Sequence, residues 1–241
     1  MARGAPDYMV VTDGRTPERY FTYSLPELPL MLLDNFETTV IKWIYNDTTT
    51  LSLDSTAATT SKSSPVVSGD KCLKITGTAN FSSTIQRYVG AKDVLTNIGI
   101  STYFYCMDWA NMFAAGNTSV EIVGVRVFDS NYFKDFRIFY EPATYKWYYS
   151  NDGGDTAIEF ATLMMSNTIV NYIKLFLDLE NDEAKFVIIN GIKYTFTNVS
   201  LQVGASSAIS CIVLAMTFTS AAAKAGIIYL DDYTVTYNEP F

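Results

Sequence analysis

The clearest local signal of the fold is the segment YIKLFLDLENDEAKFVIINGIKYTF, residues 172–196. Three apolar runs rich in Ile, Val and Phe are separated by two groups of turn residues. The polar tetrad 180–183 predicts one turn, and Asn190-Gly191 supplies the positive φ angles of a type I′ hairpin turn. The stretch therefore predicts a three-stranded antiparallel meander.

The same pattern continues outward in both directions, since short runs rich in β-branched and aromatic residues alternate with Gly, Asn, Asp and Ser. Strands are predicted at residues 39–45, 71–76, 83–89, 99–107, 119–129, 133–140, 146–150, 171–179, 184–189, 193–197, 210–218 and 227–237. Residues 48–64, dominated by Thr and Ser, predict a long solvated loop or a frayed edge strand. The predicted fold class is all-β, an antiparallel jelly-roll β-sandwich.

Three further motifs narrow the fold. They are LDNFE at residues 33–37 followed by Trp43, SGDKCLKI at residues 68–75, and Leu230-Asp231-Asp232 near the end of the chain. Together with the meander they resemble the concanavalin A-like and laminin G-like lectin sandwiches and the jelly-roll carbohydrate-binding modules. The resemblance spans about residues 33–237, and it supports a fold better than a function.

The first residues differ from the rest of the chain. Pro6, Pro17, Pro26 and Pro29 punctuate a stretch without sustained periodicity, and proline favours extended chain. We expect an extended N-terminal arm at residues 1–32 and a single sandwich domain at residues 33–241. The arm either packs on its own domain or docks on a neighbouring subunit. The opening MARGAPDY, followed by an arm and such a sandwich, resembles structural proteins of tailed bacteriophages.

Charge and composition exclude several classes of partner. The net charge is -8 and the 17 Lys and Arg residues are scattered, so we expect neither nucleic acid nor an anionic membrane as a partner. No apolar run approaches the ~20 residues of a membrane span, and residues 1–7 lack the apolar core of a secretory signal. Cys72, Cys106 and Cys211 form no metal-binding pair and are expected to be buried as small hydrophobic side chains.

Catalysis is not expected. The chain contains no histidine, which removes the His-activated nucleophiles, His bases and His-ligated metals. A glycosidase would need two carboxylates about 5–9 Å apart across a cleft, and no predicted strand carries the alternating acidic pattern of the concanavalin A-like glycosidases. The cluster of Glu180, Asp182 and Glu183 falls on a predicted hairpin tip, where charges are usually solvated.

The resemblance to carbohydrate-binding modules implies a structural calcium site. Its ligands would correspond to Glu37, Asp70 with the neighbouring carbonyls of the Ser68-Gly69 loop, and Asp232, with Asp34 close by. Oxygen ligands of this kind suit Ca²⁺. The alternative is that the acidic residues belong to turns and an edge strand; either way a metal ion would be structural, and no other cofactor is expected.

Sugar binding would require exposed aromatic rings. Trp109, Trp147 and Tyr149 are the candidate glycan or interface residues, with Tyr132 and Tyr148 nearby. Because alternate residues of a strand point to opposite faces, the Trp147-Tyr148-Tyr149 run predicts at least one exposed ring. Such a ring serves a glycan, a subunit interface or the margin of the core.

The first functional interpretation is a non-enzymatic bacteriophage structural protein, a capsid decoration or tail component. It would be located in the virion after assembly in the host cytoplasm, and it would dock on other virion proteins or copies of itself through its arm and sandwich surface. The alternative is a carbohydrate-binding or adhesion module that recognises a glycan through aromatic side chains. A polysaccharide-active enzyme is the third interpretation.

Overall fold

A computed structural model describes residues 30–37, 41–47, 49–54, 67, 70–79, 82–90, 95–106, 120–129, 131–153, 156–166, 169–219 and 226–237. These ranges form strands joined by turns and loops. The strands are β1 (Leu30–Asp34), β2 (Ile44–Tyr45), β3 (Thr49–Asp54), β4 (Cys72–Gly77), β5 (Ser82–Gly90), β6 (Asn97–Tyr105), β7 (Val120–Phe128), β8 (Tyr132–Glu141), β9 (Lys146–Ser150), β10 (Ile158–Thr162), β11 (Asn171–Asp178), β12 (Glu183–Ile189), β13 (Ile192–Ser200), β14 (Gln202–Ala205), β15 (Cys211–Thr219) and β16 (Ile227–Tyr237). Within the described ranges, no helical segment has the length and apolar character needed to cross a bilayer.

The strands form two antiparallel sheets. Sheet A has the order β13-β12-β11-β6-β16-β4-β3, and β1 pairs with the second half of β16 beside β4. Sheet B has the order β10-β9-β8-β7-β15-β5-β2, and β14 pairs with the first half of β8 beside β9. Both sheets are therefore broad, with the longest strands at their centres.

The core lies between the two sheets. β15 alternates partly exposed and buried residues along its whole length, so it turns one apolar face inward. Fully buried side chains come from both layers, for example Ile98 and Ile100 of β6 and Phe136 and Ile138 of β8. The alternate residues of β15 that point away from the core remain partly exposed.

The meander predicted from residues 172–196 is confirmed. β11, β12 and β13 pair in succession, and Asn190 and Gly191 adopt φ angles of 48° and 84°. The Asn190 side chain accepts a hydrogen bond from the Tyr172 N–H at 2.8 Å, which ties the turn to β11. Local turn chemistry and long-range pairing thus agree in this segment.

Three strands were not predicted, and one prediction was too long. β1, β10 and β14 are short segments with little periodicity. The Thr-rich stretch predicted as a loop or frayed edge strand contains β3, which lies at one edge of sheet A. Residues 41–43, predicted to extend a strand from residue 39, are not in a strand, because only Ile44–Tyr45 pairs with β5. β1 begins at Leu30, so sheet A includes residues that were predicted to belong to the arm; residues 1–29 lie outside the described residues.

Candidate functional site

A groove of about 580 Å³ lies on the outer face of sheet B, over strands β5, β15, β7 and β8. Its floor is made by the small side chains of β15 and by a glycine of β7, namely Cys211, Val213, Ala215, Thr217 and Gly124. One wall is formed by β5 and the other by β7 and β8. The size falls within the range of about 300–1,000 Å³ that is typical of small-molecule sites.

Strand pairing arranges the groove in four rows, because paired residues of neighbouring strands share a face. In the strand order β5, β15, β7, β8, the rows are Gly90, Cys211, Phe128, Phe133; Tyr88, Val213, Arg126, Asp135; Gln86, Ala215, Gly124, Arg137; and Thr84, Thr217, Glu121, Phe139. The β5 wall is therefore aromatic and amide-bearing, whereas the opposite wall is charged. The two walls stand on either side of a floor made mainly by β15.

A β-bulge in β7 brings Glu121 into the groove. The pairing of β7 with β8 shifts between Glu121 and Val123, so one extra residue is inserted opposite β8. As a result Glu121 and Gly124, three positions apart, lie on the same outer face. A Cβ built at Gly124 would overlap Glu121 Oε1 and lie 3.0 Å from Glu121 Cδ. Glycine at this position therefore allows the Glu121 side chain to lie over the strand.

Asp135 holds two arginines in place. Its Oδ2 accepts a hydrogen bond from Arg126 Nε at 2.7 Å, and its Oδ1 accepts one from Arg137 Nε at 3.0 Å. Arg137 Nη1 also donates to Glu121 Oε2 at 3.3 Å. Asp135 is 3% exposed and Glu121 is 6% exposed, whereas the arginine side chains are 37% and 27% exposed. The carboxylates thus form the buried support, and the guanidinium groups are the accessible part of the wall.

The Arg126 side chain has a second support. Its guanidinium carbon lies 4.9 Å from the centre of the Phe133 ring, in cation–π geometry. The Phe133 ring in turn lies against β14, where a Cβ at Gly204 would overlap it. Because Asp135 accepts from Nε and the guanidinium also lies over the Phe133 ring, Arg126 is held by two contacts within the protein itself.

Burial changes the acid–base behaviour of this wall. Desolvation raises the pKa of Glu121 above the ordinary value of 4.5, although the Arg137 guanidinium acts in the opposite direction. The pKa of Arg137 is raised as well: burial alone would lower it, but the hydrogen bond to Asp135 and the charge of Glu121 outweigh burial. Arg137 therefore stays cationic, and Glu121 binds a proton more readily than a solvated carboxylate.

The opposite wall carries an exposed ring. Tyr88 is 51% exposed, and its hydroxyl donates to Gln86 Oε1 at 3.3 Å. Ile209, 88% exposed in the loop between β14 and β15, closes one end of the groove together with Ala208. A ligand in the groove would therefore meet apolar surface on this side and charged donors on the other.

Two of the predicted aromatic site residues, Trp147 and Tyr149, pack in or against the core. Trp147 is fully buried, its indole N–H donates to the Leu163 carbonyl at 3.0 Å, and its ring packs on Tyr140. Tyr149 is half-buried on the inner side, stacked 5.6 Å from Phe136. Both residues are part of the core packing, which corrects the prediction that they face a ligand. Trp109 lies outside the described residues.

The residues predicted to bind calcium are partly brought together. Glu37 Oε1 accepts hydrogen bonds from the N–H groups of Asp70 and Lys71, both at 2.8 Å. Asp34 Oδ2 accepts a hydrogen bond from Trp43 Nε1 at 3.2 Å. Within the described ranges, no three Asp, Glu or Cys side chains form a group that could hold a metal ion. Glu37 Oε1 therefore faces two N–H donors in this structure, and the calcium site stays a prediction.

Asp232, the remaining predicted ligand, lies in the middle of β16. Asp231, not Asp232, is the fully buried carboxylate, and its Oδ2 accepts a hydrogen bond from the Val67 N–H at 2.6 Å. Asp232 occupies a bulge with a φ of 46°. The Ser68-Gly69 carbonyls of the predicted ligand set lie outside the described residues.

The groove residues were missed from the sequence, although one signal was present. Asp135 and Arg137 occupy alternate positions in the middle of an apolar strand, so both point to one face. Two charged side chains on one face of such a strand need charged partners, a ligand or solvent on that face. The cysteines also differ from prediction: Cys72 and Cys106 are buried as expected, but Cys211 is half-buried and lines the groove.

Arginines engage both buried carboxylates of the groove. Both Asp135 oxygens accept guanidinium N–H bonds, so neither is presented as a free base or nucleophile. Glu121 shares Arg137 with Asp135 and does not stand alone across a cleft. What the walls offer is a ring for stacking and several hydrogen-bond donors.

The sequence matches no protein-family model and no curated protein. Solved structures share its fold. A carbohydrate esterase of the Shiga toxin-encoding bacteriophage phi24B matches with a TM-score of 0.51 at 14% identity, over 82% of this chain and 90% of that chain. The carbohydrate recognition domain of Emp46p, in its potassium-bound form, matches with a TM-score of 0.50 at 10% identity, over 81% and 88%.

The globular domain of T. cruzi calreticulin also matches, with a TM-score of 0.50 at 7% identity, over 87% of this chain and 89% of that chain. At these identities the likeness shows the fold alone. The predicted fold is confirmed: the chain is an all-β, two-sheet antiparallel sandwich of the concanavalin A-like lectin type. It is structurally similar to lectin-like carbohydrate-recognition domains.

Proposed function

We propose that this domain binds a glycan in the groove on the outer face of sheet B and performs no catalysis. The observation that carries the proposal is the pairing of an exposed Tyr88 ring on one wall with the charged donors of Arg126 and Arg137 on the other. A sugar ring presents an apolar face and a rim of hydroxyl groups, so it needs both kinds of wall.

The small side chains of the floor support this proposal. Ala215 and Gly124 face the middle of the groove, where larger side chains would fill the space. Glu121 and Asp135 are buried and paired, so the charged wall keeps its geometry without a ligand. A preorganised wall lowers the entropic cost of binding.

The first functional interpretation of the sequence, a bacteriophage virion protein, stays a prediction. The arm on which docking would depend lies outside the described residues. A truncation that tests the arm should begin at Leu30 rather than Leu33, since β1 is part of sheet A. A virion protein and a glycan-binding domain are compatible, because a particle can carry such a domain for attachment.

The proposal is tested by glycan-array screening of the full chain, followed by calorimetric titration of the best ligand with the protein and its variants. Tyr88→Ala should lower the affinity about tenfold, since it removes the stacking ring from the wall. Tyr45→Ala is the matched control, because Tyr45 is 52% exposed on the neighbouring strand and pairs with the core residue Ile85. Tyr45 therefore lies on the other face of the sheet.

Binding that falls for Tyr88→Ala and stays constant for Tyr45→Ala would support the groove as the site. The proposal fails if no glycan in a broad array binds. It also fails if both tyrosine variants lose affinity equally, because the binding surface would then lie elsewhere.

A further inference from the structure

The way the two arginines are anchored points to the class of sugar, an inference that rests on the proposed function. Arg126 is held through Nε by Asp135, and Arg137 is held through Nε by Asp135 and through Nη1 by Glu121. Within the described part of the chain, the two Nη atoms of Arg126 and Nη2 of Arg137 have no protein acceptor. The anchoring bonds thus orient the guanidinium groups and leave their terminal amino groups to a ligand.

The geometry of Arg126 suits a carboxylate. A guanidinium group binds a carboxylate through two parallel N–H bonds, and with Nε already engaged the remaining pair is Nη1 and Nη2. The side chain is 37% exposed on the groove wall, and its guanidinium group lies over the Phe133 ring. Nη1 and Nη2 of Arg126 are therefore the pair of donors available to a ligand in the groove.

Arg126 shares its acidic partner. Asp135 is the only carboxylate that contacts Arg126 among the described residues, and it divides its two oxygens between Arg126 and Arg137. Glu121 forms its ion pair with Arg137. Arg126 thus has one oxygen of a shared carboxylate, and an anionic ligand group would give it a second acidic partner.

Tyr88 would provide a second contact with the sugar, in addition to Arg126. Tyr88 and Arg126 lie in one row, separated by Val213 on the intervening strand. Two strand spacings correspond to about 10 Å between their backbones. A sugar ring stacked on Tyr88 would direct a carboxylate on its rim toward Arg126.

We infer that the groove binds an acidic sugar residue, with Arg126 and Arg137 donating from their terminal amino groups to the carboxylate of the sugar. Asp135, Glu121 and Phe133 act as positioning residues for the two arginines. Tyr88 provides the stacking surface.

The test uses the full chain and uronate oligosaccharides, namely oligomers of galacturonate, glucuronate and mannuronate, each paired with the same oligomer after carboxyl reduction to the neutral sugar. Titration calorimetry should show at least about tenfold tighter binding of one acidic oligomer than of its reduced counterpart, because the charge-assisted pair is lost on reduction. A sulfated oligosaccharide of similar length tests whether the groove recognises a carboxylate or any negatively charged group.

Two variants and a control locate the interaction. Arg126→Gln should abolish the preference for the acidic oligomer, and Arg126→Lys should also reduce it, since lysine keeps the charge but lacks the two-pronged donor. Lys193→Gln is the matched control: Lys193 Nζ lies 4.0 Å from the centre of the Phe186 ring on sheet A, so it is also a cation over a ring, but away from the groove. Circular dichroism confirms that each variant is folded.

The outcomes are distinct. If each acidic oligomer that binds has the same affinity as its reduced form, this inference is overturned and the proposed function stands. Binding of the sulfated sugar in place of the uronates has the same consequence. Absence of binding to every sugar in the panel and in the wider array overturns the proposed function and this inference with it. An unchanged acidic preference in Arg126→Gln would show that the carboxylate is bound elsewhere.

Discussion

At Glu121 the sandwich keeps a carboxyl group away from water on the face that carries the groove. The group is 6% exposed, and its hydrogen bond to Arg137 does not fully offset the loss of hydration, so its pKa is raised. Between the ordinary pKa of 4.5 and the raised value, the folded chain holds a proton that the unfolded chain has lost. Stability falls with pH wherever the folded state binds more protons. The stabilising contribution is thus complete below pH 4.5 and is lost as the pH rises through the folded-state pKa.

Glu121→Gln should remove this dependence, because glutamine does not ionise. The free energy of unfolding of the unmodified protein, minus that of the variant, should fall as the pH rises from about 4 to about 8. Urea denaturation at a series of pH values measures the difference. Glu159→Gln, which replaces an exposed carboxyl paired with Lys146, is the control. A difference that is constant or grows with pH would contradict the assignment of Glu121 as a desolvated acid.

At the scale of single elements, the turn between β12 and β13 shows how few residues fix the register. Gly191 has a φ of 84°, a region that an L side chain adopts only with strain. The Asn190 side chain also donates to Asn171 Oδ1 at 3.0 Å, so the turn is tied to the start of β11 as well as to its own hairpin. The turn therefore aligns three strands of sheet A.

Gly191→Ala should lower the free energy of unfolding by about 1–2 kcal/mol, because the new side chain is forced into the left-handed region. Gly90→Ala, in β5, is the matched control: neither glycine has an atom within 4 Å of the position a Cβ would take, and only Gly191 has a positive φ. We expect Gly90→Ala to be neutral or stabilising by up to about 1 kcal/mol. Equal losses in both variants, measured by urea denaturation, would mean that backbone strain is not the cause.

At the scale of the whole molecule, the inner face of sheet B forms part of the core and the outer face forms the groove. The inner face packs against sheet A and holds Trp147, whose indole N–H satisfies the Leu163 carbonyl. The outer face carries the groove, with Ala215 at the centre of its floor. Because alternate residues of one strand serve the two faces, stability and binding should respond to different substitutions.

Two substitutions on sheet B should separate these properties. Trp147→Phe should lower the free energy of unfolding by about 1–3 kcal/mol, through lost packing and an unpaired carbonyl, while the affinity of the folded protein for its glycan stays unchanged. Ala215→Leu should abolish glycan binding by filling the floor, with little loss of stability. Thermal denaturation and titration calorimetry on both variants are the measurements. Loss of affinity in folded Trp147→Phe would return Trp147 to the binding site and contradict this division.

Much of the fold could be predicted because the meander, the strand pattern and the opening and closing motifs are all local signals. The groove could not, because its charged wall combines residues of β7 and β8 that become neighbours only through sheet pairing. The bulge before Gly124 also breaks simple alternation, so Glu121 would be assigned to the wrong face from the sequence. Trp147 was misjudged for a related reason: alternation shows that the rings of residues 147–149 divide between two faces, but not which face is covered.

Cys211 lines the groove with a half-buried thiol, so its rate of chemical labelling should report whether the groove is occupied. Cys72 and Cys106 are fully enclosed, so a small alkylating reagent should react selectively at Cys211, slowly because burial raises the pKa of that thiol. Any molecule that occupies the groove would shield the sulfur and slow the labelling. Unlabelled extracts, cell-wall fractions or polymer libraries could thus be screened by mass spectrometry for protection of one cysteine, without knowing the ligand in advance.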